Sequence, residues 1–192
     1  MALSKDWREF LELLNSRGVD YVIVGAQSLA FHARPRYTGD LDILVRPTWN
    51  NAQQLLEVLN QFGFAQAGFK EPDFAEAEQM IQLGQGPSRI DLLTSISGVH
   101  TDEAFATKVS ATMDGIPVFI LGKEVLIRNK RAVGRSQDLA DLESPLDHDI
   151  GDLLRHDAQQ HNRLVQDHVR LHVVEQDEGR GRELGRQAAD GL

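Results

Sequence analysis

Two stretches decide the reading: Tyr21-Val22-Ile23-Val24-Gly25, and fifteen residues after that glycine Asp40-Leu41-Asp42-Ile43-Leu44-Val45. The first is a short apolar run rich in β-branched residues. It is too brief for a helix and is stopped by glycine, the pattern of a buried strand. The second alternates acid and aliphatic before turning wholly apolar, and Pro47 ends it. Side chains alternate across a strand, so Asp40 and Asp42 look to one face while Leu41 and Ile43 look to the other, into a core. A rigid strand would then carry a pair of carboxylates.

Helical patterns surround these strands. From Ser4 to Arg17, residues Trp7, Phe10, Leu11 and Leu14 fall at i, i+3, i+4 and i+7, with Ser4 as N-cap and Gly18 just past the end. Ala26 to His32 suits a short helix directly after Gly25. Arg34 to Gly39 is irregular around Pro35. Thr48 caps a further helix through Ala52, Leu55, Leu56 and Leu59, closed at Gly63. Residues 64–87 give no clear pattern, with Gly84, Gly86 and Pro87 marking a loop. Arg89-Ile90-Asp91-Leu92-Leu93-Thr94 reads as a strand. Val109–Met113 and Ile116–Leu121 flank Asp114-Gly115, the strongest short hairpin signal. Helical segments follow over 123–131 and 136–143, before Pro145. The expected fold class is α/β (α+β), a short mixed sheet flanked by helices with a small C-terminal helical element. Residues 1–145 form the domain. Residues 146–192, polar and carrying five of the seven histidines, are expected as a weakly ordered tail or one loose helix.

Composition bounds the chemistry. The 192 residues include no cysteine, which excludes disulfides, thiolate metal sites and a cysteine nucleophile, so any metal must be held by oxygen or imidazole. The net charge of -9, from 20 basic and 29 acidic residues, argues against non-specific duplex binding, although a basic face around Arg34, Arg36, Arg128, Lys130 and Arg131 would suit an RNA end. No apolar run approaches the roughly 20 residues of a membrane span, and none near the N-terminus matches a signal peptide, so a cytoplasmic protein without a membrane partner is expected.

Two carboxylates as close as Asp40 and Asp42 repel by about 4 kcal/mol at 4 Å and an effective dielectric near 20 unless a cation lies between them. A hard divalent ion meets that need, and Mg²⁺ in particular binds a few carboxylates together with substrate phosphates. Val24-Gly25-Ala26 runs from a strand through glycine into a helix start, which aims backbone N–H groups and a positive helix end at an anion. Asp91 adds a third carboxylate on another apolar strand, with Arg89 on its own face. The candidate metal ligands and catalytic residues are thus Asp40, Asp42 and Asp91. Each feature has a plainer reading: the aspartates as a solvated strand face, Asp91 as the structural partner of Arg89, and Asp138 and Asp141 as helical partners of Arg135 or Lys130. His32 reads as a satisfied, partly buried histidine, and His168 and His172 as one face of a solvated helix.

The order strand, glycine turn and helix, then Asp-x-Asp on a strand, then a single acid on a later strand resembles the polymerase-beta-like nucleotidyltransferase superfamily, over residues 19–46 and 88–93. More narrowly, His32 to Asp42 and Glu124 to Leu142 are similar to small bacterial nucleotidyltransferases related to abortive-infection toxins. The resemblance implies the nucleotidyltransferase fold. It also implies transfer of a nucleoside monophosphate from an NTP to a hydroxyl acceptor, with pyrophosphate released, by two Mg²⁺ or Mn²⁺ ions on Asp40, Asp42 and Asp91. Asp91 would also help to deprotonate the acceptor. Gly25, Ala26 and Ser28 would cradle the triphosphate, and Arg36 and Lys130 would neutralise its charge. The acceptor class stays open among a tRNA end, a protein hydroxyl and a small molecule, and a toxin setting would add an antitoxin partner. One departure is Ala26, the second small residue of the turn, which lacks a hydroxyl for phosphate. That substitution keeps open a degenerate binding module without turnover. An Asp-x-Asp glycosyltransferase ranks below both, because the chain is short and the pair follows so soon after the glycine turn.

Overall fold

In a computed structural model of the chain, residues 3–33, 38–136, 138, 170–175 and 182–183 are described. Helix α1 (Lys5–Ser16) starts where expected, with Ser4 Oγ accepting the Trp7 N–H, and buries Trp7, Phe10, Leu11 and Leu14. Strand β1 (Tyr21–Ile23), helix α2 (Gly25–His32) and strand β2 (Asp40–Val45) follow. Helix α3 (Trp49–Leu59) is capped by Thr48 and runs into a π-helical turn over Asn60–Phe64. A single turn, α4 (Pro72–Ala75), leads to β3 (Gln79–Leu83) and β4 (Arg89–Leu93). Then come α5 (Thr101–Ala106), β5 (Val109–Met113), β6 (Ile116–Ile120) and α6 (Lys123–Val133). Asp114 and Gly115 both hold positive φ, 50° and 85°, as the tight turn of the expected hairpin requires.

The described strands form one mixed sheet in the order β5-β6-β1-β2-β4-β3, extended by β7 (Arg170–Glu175) and β8 (Arg182–Glu183). Strands β1 and β2 are antiparallel, β2 and β4 parallel, and β1 and β6 parallel. This is the α/β architecture expected, compatible with a nucleotidyltransferase-like fold. Two stretches differ from the expectation. Residues 79–83, unreadable in sequence, are a strand between β4 and β7. Residues 170–175, placed in a loose helix or an unordered tail, are extended and run parallel to β3. His172 therefore lies on a strand, and helical i, i+4 spacing with His168 does not apply to it; His168 itself lies outside the described residues. So do most of the helical segment expected at 136–143 and the rest of 146–192.

Both faces of the sheet are covered. On one, α1, α3 and the π turn pack Phe10, Leu14, Leu55 and Phe64 against Ile23, Leu41, Ile43 and Ile90. On the other, a smaller cluster joins Val22, Val24 and Leu44 to Leu29 of α2, Phe105 of α5 and Leu126 of α6. The strand alternation puts Asp40 and Asp42 on this second face, in line with Leu44.

At the opposite end of β1 and β2, the buried Asn51 clips the two strands together. Its Oδ1 accepts the Asp20 N–H at 2.7 Å, and its Nδ2 donates to the carbonyls of Asp20 and Arg46, both at 3.0 Å. Asn51→Ala strands the Asp20 N–H and takes one of two donors from each carbonyl, which keep the N–H groups of Arg46 and Thr48. A loss of about 1–2 kcal/mol is expected, read as a lower urea midpoint with an unchanged m-value. A loss below about 0.5 kcal/mol would show that the clip does not matter.

Candidate active site

The site is assembled where β1 ends, β2 begins and β4 begins. Val24 donates its N–H to the Asp42 carbonyl at 3.0 Å, carrying the strand pairing to the point where the chain turns into α2. Gly25 makes that turn at φ +59°, and its open side is filled by Asp42: a Cβ there would lie 1.9 Å from Asp42 Oδ2 and 2.7 Å from its Cγ. Glycine is needed here twice over, for the left-handed backbone and for the space the carboxylate takes. The N-cap residue Val24 makes no side-chain cap bond, so the first N–H groups of α2 have no side-chain acceptor at the end that faces Asp42.

Parallel pairing of β2 and β4 sets Asp42 beside Asp91 and Asp40 beside Arg89. All four side chains share one face. Arg89 lies between the outer two acids: Nη2 donates to Asp40 Oδ2 at 2.7 Å and to Asp91 Oδ2 at 2.9 Å, and Nε donates to Asp91 Oδ1 at 2.8 Å. Thr38 donates its hydroxyl to Asp40 Oδ1, and the Trp7 indole N–H holds the Arg89 carbonyl at 3.2 Å. Arg89 therefore pairs with Asp40 and Asp91 and not with Asp42.

The electrostatic consequence is large. Burial, then the charges of Asp40 and Asp91, push the Asp42 carboxyl up to about 7, against the partial relief of Arg89 and Lys130. Burial also raises Asp91, opposed by its hydrogen bond from Arg89. An acid held this far above its ordinary range is short of positive charge. Among the described residues no group of three or more His, Cys, Asp or Glu is placed to hold a metal ion, Asp40, Asp42 and Asp91 included. The donor set nevertheless suits Mg²⁺ or Mn²⁺, which bind through one or two carboxylates plus substrate phosphates rather than an all-protein cage.

Lys130 of α6 is buried. Its Nζ pairs with Asp138 Oδ1 at 2.5 Å, and its charge reaches Asp42. The structure thus brings together Gly25, Asp40, Asp42, Asp91 and Lys130. Ala26 is buried in the first turn of α2. Ser28 is fully buried and donates its hydroxyl to the Leu121 carbonyl at 3.4 Å, so it ties α2 to the start of α6 rather than facing the acids. His32 Nε2 donates to the same carbonyl at 2.7 Å, a structural role. Arg36 lies outside the described residues. Two groups escaped the sequence reading: the second bond of Arg89, to Asp40, and Gln27 in the first turn of α2. The only signal for Gln27 was one long polar residue in an otherwise small and apolar helix.

No described helix is long and apolar enough to cross a membrane. No curated protein matches the chain. Residues 3–178 match the profile of a family described as nucleotidyl transferase of unknown function (DUF2204).

Proposed function

Because the chain belongs to this nucleotidyl transferase family, we propose that it is a metal-dependent nucleotidyltransferase. It would move a nucleoside monophosphate from an NTP to a hydroxyl acceptor and release pyrophosphate. The observation that carries the reading is the under-neutralised Asp42, in register with Asp91 on one side and beneath the glycine turn into α2 on the other. Asp40, Asp42 and Asp91 would hold Mg²⁺ or Mn²⁺, which when bound supplies positive charge to the reacting phosphate and to the attacking oxygen.

The protein's own groups divide the remaining work. Backbone N–H groups of Gly25 and Ala26 at the uncapped start of α2 receive phosphate oxygens. Lys130, and Arg36 as the resemblance places it, offset the negative charge that pyrophosphate carries away. The acceptor oxygen attacks the α-phosphorus as the bond to the β-phosphate oxygen breaks, and Asp91, raised by burial, takes the acceptor proton. Arg89 must loosen its hold on Asp40 and Asp91 as the cation enters. Its position also favours a second reading, a binding module in which the guanidinium permanently replaces the metal and no turnover occurs. A toxin role with an antitoxin partner rests on the resemblance of residues 32–42 and 124–142.

Incubation with each α-labelled NTP, Mg²⁺ and a cell extract, beside an Asp40→Asn/Asp42→Asn control, tests the proposal. Label entering RNA, protein or a small molecule only with the native protein establishes transfer and the acceptor class. Nucleotide binding without transfer favours the binding module, and a sugar nucleotide as the only effective donor points to glycosyl transfer.

A further inference from the structure

Gln27 stands at the third position of α2, two residues after the glycine that receives Asp42. It is 3% exposed, and its Nε2 has no hydrogen-bond partner; among the described residues it is the one buried side-chain polar atom left in this state. Buried donors are almost always paired, and an orphan destabilises the empty protein, so its persistence calls for a partner that arrives later. A capping role does not account for it. A glutamine at this position can reach back only to the N-cap N–H, which needs an acceptor, and the Val24 N–H is already given to the Asp42 carbonyl.

Helical Cα–Cβ bonds tilt toward the helix N-terminus, so the Gln27 side chain leans back toward the Gly25 turn, on which Asp42 rests. It also shares its helix stripe with Phe31, four residues on and 49% exposed, so that stripe runs from the glycine-turn end of α2 to open surface. The missing partner must be an acceptor, at the positive end of an uncapped eight-residue helix whose glycine turn receives Asp42, a carboxylate that also feels the charge of the buried Lys130. Those conditions describe an anionic oxygen.

We propose that Gln27 is a substrate-binding residue whose Nε2 donates to a phosphate oxygen of the bound triphosphate, an inference that rests on the nucleotidyl-transfer reading of this site. The test is Gln27→Met, which keeps the length and removes the donor. Binding of inorganic tripolyphosphate is measured by calorimetry with Mg²⁺, beside melting of the ligand-free protein. The expected result is a split: tripolyphosphate bound about tenfold more weakly, with a melting temperature equal to or above the native one. For NTP turnover the loss falls on KM more than on kcat. Gln27→Glu, which turns the donor into a charged acceptor, is expected to weaken binding further.

Native-like tripolyphosphate binding by Gln27→Met overturns the inference while leaving nucleotidyl transfer standing. A variant that unfolds or melts several degrees lower also overturns it, since removing an orphan donor cannot cost a bond that was never made. If the native protein binds tripolyphosphate but transfers no label, the transfer reading fails and Gln27 keeps its phosphate. If the native protein binds neither tripolyphosphate nor any NTP, both fall together.

Discussion

Asp42→Asn is expected to abolish nucleotidyl transfer, by about a thousandfold or more, and at the same time to make the metal-free protein more stable at pH 8. The two effects have one cause. Asp42 titrates near 7 in the folded protein against 3.8 in an open chain. Between those values the folded state holds more protons than the unfolded one, so stability falls as the pH rises from about 4 through about 7. Asparagine removes that slope. The melting curves of native and variant protein should therefore coincide near pH 4 and separate above pH 7, with the variant higher by about 5 °C, a size discounted for the partial exposure of the carboxyl. Mg²⁺ should raise the native melting temperature at pH 8 and leave the variant unmoved, because only the native site gains from the cation. A variant that melts lower than the native protein at pH 8 would show that Asp42 is structurally satisfied and is not waiting for charge.

The same residues show how far the sequence could be read. Asp40 and Asp42 alternate with Leu41 and Ile43, and that local rule alone put the acids on one face and the aliphatics in the core; α1, β2 and the Asp114-Gly115 hairpin were legible for the same reason. Whatever depends on which strand lies beside which was not legible. Asp91 could be named as a third acid, but its register with Asp42, and that of Arg89 with Asp40, is set by the parallel pairing of strands almost fifty residues apart. The Asp138 partner of Lys130 was legible from helical spacing, but the burial of Lys130 was not, because it depends on what α6 packs against. Strand β3 was hidden because Gln79 and Gln82 break its apolar pattern, and Arg170–Glu175 because a short half-polar strand needs a neighbour before it can be told from loop.

Gly25→Ala is expected to cost activity as much as Asp42→Asn does, but to move stability in the opposite direction. Alanine must hold φ near +59°, which L-residues resist by roughly 1–2 kcal/mol. Its methyl would also lie 1.9 Å from Asp42 Oδ2, far inside contact distance. The carboxylate has to swing off the glycine turn, away from Asp91 and from the start of α2, or the turn itself has to shift. Either movement separates the acids from the N–H groups that are proposed to share a phosphate with them. The variant should retain its helical circular-dichroism signal, melt several degrees lower than the native protein, and lose the Mg²⁺-dependent rise in melting temperature. A double-mutant cycle separates the two costs. In an Asp42→Ala background the offending oxygen and Cγ are gone, so Gly25→Ala should cost only its backbone strain plus the tight 3.1 Å approach of the remaining Cβ, and the two substitutions should be strongly non-additive. Additive losses would mean that Asp42 does not rest on Gly25 in solution. The close approach that makes the turn a platform for both carboxylate and phosphate would then have to be abandoned.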